Sequence, residues 1–436
     1  MAETKVATTM FEPELETMPS SDLRALQSER LVAMVRYAYD NVPLYRRRFE
    51  EAGLTPDDIK GLEDLPKIPF TVKDDLRDHY PYGILAVPRE EVVRFHASSG
   101  TTGKPTVVSY TARDLDTWSR MMARTYASAG TTKADLVQNI YGYGLFTGGL
   151  GFHYGAERLG ATVLPTSTGN TKKQLMLMRD LQSTVVACTP SYAVFLAEAA
   201  VEEGYDPRND FALRIGTFGA EPWSEEARQK LEAVFGIRAY DCYGMSELYG
   251  PGVAVECSEQ NGLHIWSDEF LAETIDPETQ EPLPPGELGE MVFTMLTREA
   301  MPLLRYRTRD LARIVWDECP CGRTHPRIMR ISGRDDDMLI VGGVNVFPSQ
   351  IEEVLMSVPE LGDQYEIIVD RDLLDKLSVR VEVAPGQDWT SAPLAGKVAE
   401  NLTAVLSIRA LVELLEPGTI ERSLGKARRV IDLRTS

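Results

Sequence analysis

Long apolar runs are missing from this chain of 436 residues. No stretch reaches the roughly 18 consecutive apolar residues of a membrane-spanning helix, so no transmembrane segment is expected. The first residues, MAETKVATTMFEPELET, carry acids and lack a continuous apolar core, unlike a secretory signal or a basic transit peptide. A cytoplasmic protein with no membrane partner is expected. Positive charge is also short: 46 Lys and Arg face 66 Asp and Glu, for a net charge of −20. Such a surface repels nucleic acid and anionic lipid. It still admits anionic cofactors, because backbone N–H groups and a few cations can hold a phosphate locally. Cysteine is scarce, and its count of five is odd, which argues against a disulfide framework. Repeats and low-complexity tracts are absent. What remains is an ordinary enzyme-like composition, 43% hydrophobic and 26% charged, in a chain long enough for two or three domains.

From Ser20 to about Tyr80 the pattern reads helical, with Leu23, Leu26, Leu31, Val32, Val35 and Ala38 at three- and four-residue spacings. From about Val92 to Thr217, apolar strand-like runs alternate with helical stretches, which predicts βαβ units and a mostly parallel sheet. Between Ser258 and Ile331 the texture turns to short strands and turns. Beyond the charged, glycine-flanked stretch GRDDDMLIVGG, a helix–strand–strand–helix pattern predicts a small α+β domain.

HASSGTTGKPT at 96–106 gathers hydroxyls, glycines and one lysine between two strand-like runs. Composition alone leaves a polar hairpin loop and a phosphate cradle open. The cradle makes physical sense: glycines let backbone N–H groups converge on an anion, hydroxyls add donors, and Lys104 adds a cation. It is not a Walker A loop, since two residues rather than four separate its glycines and Pro105 follows the lysine.

Its company decides the matter. SSGTTGKPT (98–106), GAEPW (219–223), YDCYGMSE (240–247), RYRTRDL (305–311), GRDDDMLIVGGVNVFPSQIEEVL (333–355) and RSLGKARRV (422–430) occur in the order of the signatures of the acyl-adenylate-forming superfamily, which the chain resembles. QNIYGYGLFTGGLGFHYGAERLG (138–160) and VGGVNVFPSQIEE (341–353) narrow the resemblance to the phenylacetate–coenzyme A ligase and aryl-CoA ligase group. The resemblance implies an α/β fold: a large N-terminal domain with parallel sheets and a β-rich sub-region, then a small α+β C-terminal domain. The expected divisions are a helical part over 1–85, an adenylate-forming core over 86–333 and a mobile domain over 334–436.

It also implies a two-step reaction using ATP, Mg²⁺ and coenzyme A on an aromatic acid. Ser98, Ser99, Gly100, Thr101, Thr102, Gly103 and Lys104 would hold the phosphates. Gly219, Ala220, Glu221, Pro222, Asp241, Tyr243, Gly244, Met245 and Ser246 would surround the nucleotide, with Tyr243 against adenine. Asp310 would accept from the ribose hydroxyls, beside Arg334, and Glu247 would help bind Mg²⁺. Lys426 would bridge the attacking carboxylate and the nucleotide, and Asp336 would be the hinge of the small domain. Tyr141, Tyr143, Phe146, Gly148 and Gly149 would form the aryl-acid pocket, where glycines make room for a flat ring. His153 and Trp223 read as packing residues. A homodimer is compatible with the resemblance.

Cys319 and Cys321, in CPCG, with Cys257 and His264 upstream make a three-thiolate, one-imidazole set of the structural zinc type. His325 is an alternative fourth ligand, and surface thiols without metal are the competing reading. Two other functions compete with the ligase: an adenylating enzyme serving a carrier-protein thiol, and a catalytically silent binding module. Intact Lys104, Glu247, Asp310 and Lys426 speak against the last.

Overall fold

A computed structural model describes residues 9–82, 84–97, 105–334, 339–341, 344–371, 375–406, 408–422 and 429–434. Ser98 to Lys104, Asp336 and Lys426 lie outside the described residues. After one short turn of helix, Pro13–Glu16, comes a 22-residue helix, Ser20–Asn41, which buries Leu23, Gln27, Leu31, Met34, Val35 and Ala38. Gln27 joins this otherwise apolar stripe because its amide donates to the Ser267 carbonyl at 2.9 Å; Leu26 and Val32 flank the stripe half-buried.

The main sheet has twelve strands. Five run parallel, in the spatial order Thr162–Leu164, Leu136–Asn139, Val185–Cys188, Ile215–Gly219 and Arg238–Met245. The strands 185–188 and 215–219 are buried at every residue, as expected of strands with helices on both faces. Crossover helices Gly148–Leu159, Thr171–Asp180, Pro190–Glu202 and Glu225–Phe235 connect them. Asn170, Thr189 and Ser224 cap the last three of these, each side chain accepting from a backbone N–H of the first turn. From 136–139 the chain crosses one way to 162–164 and returns past it to 185–188. This reversal of strand order opens a crevice at the carboxyl ends of the parallel strands, where ligands of open α/β sheets sit.

After Met245 the sheet continues antiparallel through Gly250–Glu256, Leu263–Ile265, Arg327–Ile328, Tyr306–Val315, Leu288–Met295 and Phe270–Ile275. Gly333–Arg334 pairs with the interior strand Tyr306–Val315, with Arg334 opposite Asp310. A separate antiparallel pair, Arg94–Ala97 with Val107–Tyr110, sets Ala97 opposite Val107.

The small body has a four-stranded sheet in the order Ala410–Leu415, Asp375–Val383, Leu361–Arg371 and Val430–Asp432, with helices Pro348–Met356 and Ala392–Leu406. It has its own core, including Ile351, Leu355, Ile367, Val379, Val381, Val398 and Leu402. No helix among the described residues is long and apolar enough to cross a membrane.

Candidate active site

The carboxyl ends of the parallel strands and the facing surface of the small body enclose a cavity of about 500 Å³. The large body contributes Ala220, Glu221, Pro222, Trp223, Asp241, Tyr243, Gly244, Met245, Asp310 and Arg334; the small body contributes Glu352, Tyr365 and Arg429. Most of the expected nucleotide set thus meets in one cleft. Gly244 permits the close approach of the 238–245 and 250–256 strands, since a Cβ there would lie 2.1 Å from the Gly250 carbonyl oxygen. Ala220 adopts φ +73°, a left-handed conformation unusual for a residue with a Cβ. This strain sits at the turn that leaves strand 215–219 and lines the cleft.

Asp310 is held on both oxygens. The Tyr243 hydroxyl donates to Oδ2 at 2.6 Å, and Arg334 Nη1 donates to Oδ1 at 3.2 Å. Burial, reinforced by the Asp310 charge, pushes the Tyr243 phenol well above its ordinary range, so it stays a donor. On the cleft floor, Asp241 is pushed up to about 7 by burial and then by the Glu256 charge. Glu256 is itself gripped by Arg228 through contacts of 2.6 and 2.7 Å. Glu221 accepts the Ser191 backbone N–H at 2.6 Å, tying the 219–223 turn to the start of helix 190–202.

Glu247 lies in the turn Ser246–Leu248 and is buried. Among the described residues its Oε1 has no hydrogen-bond partner, and the Lys73 ammonium approaches it at 3.6 Å. Lys73 comes from the helical N-terminal part, a contribution that no local sequence signal marks.

A second cavity, of about 100 Å³, is lined by Tyr141, Phe146, Thr147, Gly148, Phe152, Gly219, Ala220, Cys242, Gly244, Met245, Ser246, Gly250 and Pro251. It shares Ala220, Cys242, Gly244 and Met245 with the larger cleft. The Tyr141 ring stacks on Phe152 with centroids 4.5 Å apart, and its hydroxyl faces the Gly219 carbonyl at 3.4 Å. Phe146 is 40% exposed and lies over Gly148, where a Cβ would come within 2.4 Å of its ring.

Tyr143 and Gly149 stand apart from this lining. The Tyr143 hydroxyl accepts from Asn139 Nδ2 at 2.7 Å and meets His153 Nδ1 at 3.1 Å. Asn139 Nδ2 also donates to the Gly149 carbonyl at 2.7 Å, and a Cβ at Gly149 would lie 2.5 Å from the Gly142 oxygen. Both residues brace the loop. Phe152, which sequence reading passed over, falls four residues after Gly148 on the same helical face. That spacing was the available signal.

Away from the cleft, Cys257, His264, Cys319 and Cys321 converge, with all four donor atoms within 4.8 Å of one another and all four residues buried. The Cys257 and Cys319 sulfurs are 3.7 Å apart, and Cys321 Sγ is 3.4 Å from His264 Nε2. His264 Nδ1 is bonded to the His325 carbonyl at 3.0 Å, which leaves Nε2 for the cluster. His325 is engaged elsewhere, through Nε2 with the Leu15 carbonyl at 2.9 Å and through Nδ1 with Ile265 O and Ser267 N. The hydrogen bond from Cys257, then His264, holds the Cys321 thiol far below its usual range, while the Cys257 thiol rises. The same turn anchors the N-terminal segment: Arg323 bonds Glu16 and the Thr9 carbonyl at 2.8 Å each, and Thr324 Oγ1 donates to the Met18 carbonyl at 2.7 Å.

The AMP-binding enzyme family matches residues 22–295, and the AMP-binding enzyme C-terminal domain matches residues 343–434. A phenylacetate-coenzyme A ligase from Thermus thermophilus is 50% identical over 98% of this chain and 100% of its own length. A crystal structure of 2-hydroxyisobutyryl-CoA ligase in the postadenylation state, in complex with 2-HIB-AMP, superposes with a TM-score of 0.91 at 33% identity, covering 97% of this chain and 92% of that one. The same ligase with 2-HIB-AMP and CoA in the thioesterification state gives 0.73 at 34% identity and equal coverage. The chain belongs to the AMP-binding enzyme family, within the group of the phenylacetate-coenzyme A ligases.

Proposed function

We propose that this chain is an ATP-dependent, AMP-forming ligase that activates phenylacetate or a benzoate-type acid and transfers it to coenzyme A. The carrying observation is the wall shared by the two cavities, at Ala220, Cys242, Gly244 and Met245. The smaller cavity is chiefly apolar, and its about 100 Å³ approaches the roughly 150 Å³ that accommodates a benzene ring. An aryl ring seated there would direct its carboxylate toward the nucleotide cleft. The 33%-identical neighbour acts on a hydroxyisobutyryl group by its name; the stacked Tyr141 and Phe152 favour an aromatic acid here.

In the first step a carboxylate oxygen bonds to the α-phosphorus of ATP and the bond to pyrophosphate breaks. In the second, the coenzyme A sulfur bonds to the acyl carbon, the bond to AMP breaks, and the thiol proton leaves. Catalysis of the first step is positioning and neutralisation of converging anions. Residues 98–104 would hold the departing phosphates, Asp310 the ribose, and Lys426 the meeting point of carboxylate and phosphate. Mg²⁺ fits Glu247, whose buried Oε1 has no hydrogen-bond partner among the described residues; when bound with ATP it would neutralise phosphate charge. Asp336 would be the pivot on which the small body turns between steps.

A structural zinc fits Cys257, His264, Cys319 and Cys321: the donor set is closed, buried and braced through His264 Nδ1. The chemistry it would supply is structural, tying the 319–325 turn to the strand of His264.

Product analysis tests the reading. With Mg·ATP, coenzyme A and a panel of phenylacetate and substituted benzoates, AMP and one aryl-CoA should appear together. Acid-dependent pyrophosphate exchange without a thioester would assign the acceptor to a carrier protein or another thiol. Formation of ADP, or no product with any acid, would overturn the reading.

A further inference from the structure

Glu247 stands in a four-residue reversal. Met245 and Gly250 pair across the antiparallel strands Arg238–Met245 and Gly250–Glu256, so residues 246–249 alone turn the chain. In so short a turn every backbone dihedral helps decide where the Glu247 carboxylate points. One of them is strained. Tyr249 adopts φ +78° and ψ −35°, in the left-handed half of the map where a bulky side chain is rarely found. Strain of this kind persists only where the surroundings enforce it, and here they can be named.

Tyr110 ends the strand Val107–Tyr110, and its hydroxyl donates to the Tyr249 carbonyl at 2.6 Å. Burial pushes this phenol up to about 12, so it keeps its proton and remains a donor. Between the Tyr110 and Tyr249 rings lies the guanidinium of Arg298, its carbon 4.0 Å from one ring centroid and 4.2 Å from the other. Arg298 is 1% exposed. Its Nη2 donates to the Ser109 carbonyl and its Nε faces Asp114 at 3.6 Å, while Nε and Nη1 have no hydrogen-bond partner among the described residues. Burying a guanidinium so thinly bonded is costly, and two aromatic faces supply part of the compensation.

The grip comes from outside the turn. Asp114, on helix Ala112–Ser128, accepts the backbone N–H groups of Glu299 at 2.8 Å and Ala300 at 2.9 Å, which fixes the segment that carries the arginine. At the other end of the turn, the Ser246 and Thr147 hydroxyls lie 3.4 Å apart.

We propose that Arg298 and Tyr110 are positioning residues for the metal: together they hold Tyr249 in its strained conformation and thereby aim the Glu247 carboxylate. This rests on the reading of Glu247 as the Mg²⁺ ligand. Neither residue lines the nucleotide cleft or the smaller cavity; their effect runs through the backbone of residues 247–249. Without the hydroxyl or the cation, Tyr249 relaxes toward negative φ and the turn re-forms with the carboxylate aimed elsewhere. The metal-assisted part of nucleotide binding then weakens. The ribose contact expected at Asp310, on a different strand, does not.

The test reads the metal contribution without turnover. Binding of ATP to the full-length protein is measured by calorimetry with no acid present, once with Mg²⁺ and once with EDTA. The ratio of the two dissociation constants is the contribution of the metal. Tyr110→Phe keeps both rings around the cation and removes the donor. It should shrink the ratio about three- to tenfold, the scale of one neutral hydrogen bond, and leave binding of AMP, and of ATP in EDTA, at wild-type values. Arg298→Met fills the same space without charge and should shrink the ratio at least as far. Glu247→Gln runs in parallel. If Glu247→Gln leaves the ratio intact, Glu247 does not hold the metal and the proposal falls with that reading. If it abolishes the metal contribution while Tyr110→Phe and Arg298→Met keep the wild-type ratio, the positioning role alone is wrong. Equal weakening of ATP binding with and without metal would show a general distortion of the cleft, and that too overturns the assignment. Should Arg298→Met fail to fold, Tyr110→Phe decides the matter, since it deletes a single oxygen atom.

Discussion

The carboxylate of Asp310 shows how a single residue is prepared before any nucleotide arrives. Tyr243 and Arg334 each fix one of its two oxygens, so the group need not reorganise to meet a ribose. Tyr243→Phe keeps the ring and removes the donor. A hydrogen bond to a charged acceptor contributes roughly 1.5–3 kcal/mol, so AMP and ATP should bind about tenfold or more weakly, measured by calorimetry, with the acid KM little changed. Gly148→Ala should do the reverse. The new methyl would meet the Phe146 ring, which is partly exposed and free to swing, so the KM of the acid should shift several-fold while nucleotide affinity holds. An equal effect on both ligands would show that the two cavities do not act as separate subsites. At this scale the sequence was informative about residue type and less so about direction. Tyr141 and Tyr143 are two residues apart in one glycine-rich loop, yet one lines the small cavity and the other turns to Asn139 and His153. Which way each points depends on Phe152 and Asn139, partners supplied by a helix and a strand on either side.

At the scale of the element, the 319–325 turn is a junction. Cys319 and Cys321 enter the thiol cluster, while Arg323, Thr324 and His325 hold the segment from Thr9 to Met18. The cysteine–histidine set was legible because ligand residue types are few. The choice between His264 and His325 was not, since it turns on which imidazole nitrogen is already bonded to a carbonyl. With zinc in the cluster, purified protein should carry about one metal atom per chain, a closed structural site needing only its four protein ligands. Cys319→Ser should lose that metal and speed hydrogen exchange across residues 9–18, while pyrophosphate exchange stays near wild type because the cluster lies outside the cleft. Metal-free wild-type protein with an unchanged exchange pattern would assign the four residues to plain thiol packing. The parallel strands were equally readable, since 185–188 and 215–219 are apolar throughout. The contributions of Glu352, Tyr365 and Arg429 to the cleft were not, because they exist only once two separately folded bodies meet.

For the molecule as a whole, the decisive feature is how little chain connects its two cores. Gly333–Arg334 is still hydrogen-bonded to the main sheet, opposite Leu311 and Asp310. Leu339–Val341 already pairs with Val344–Val346, and Leu339 belongs to the small core. Any rotation of one body against the other must be taken up by the few residues between Arg334 and Leu339, among them Asp336. A hinge works when its backbone dihedrals can change, and proline fixes φ near −65°. Asp336→Pro should therefore hold the small body in one arrangement. If that arrangement is the one shared with the postadenylation ligase, pyrophosphate exchange should stay within about twofold of wild type, while thioester formation falls by roughly one to two orders of magnitude, as hinge substitutions change turnover without touching the chemistry. Asp336→Ala, which leaves φ free, should restore most of the second step and exclude loss of the carboxylate as the cause. Equal loss of both half-reactions in Asp336→Pro would show that the chemistry uses one arrangement of the bodies. The small body would then be a fixed wall of the cleft rather than a part that turns.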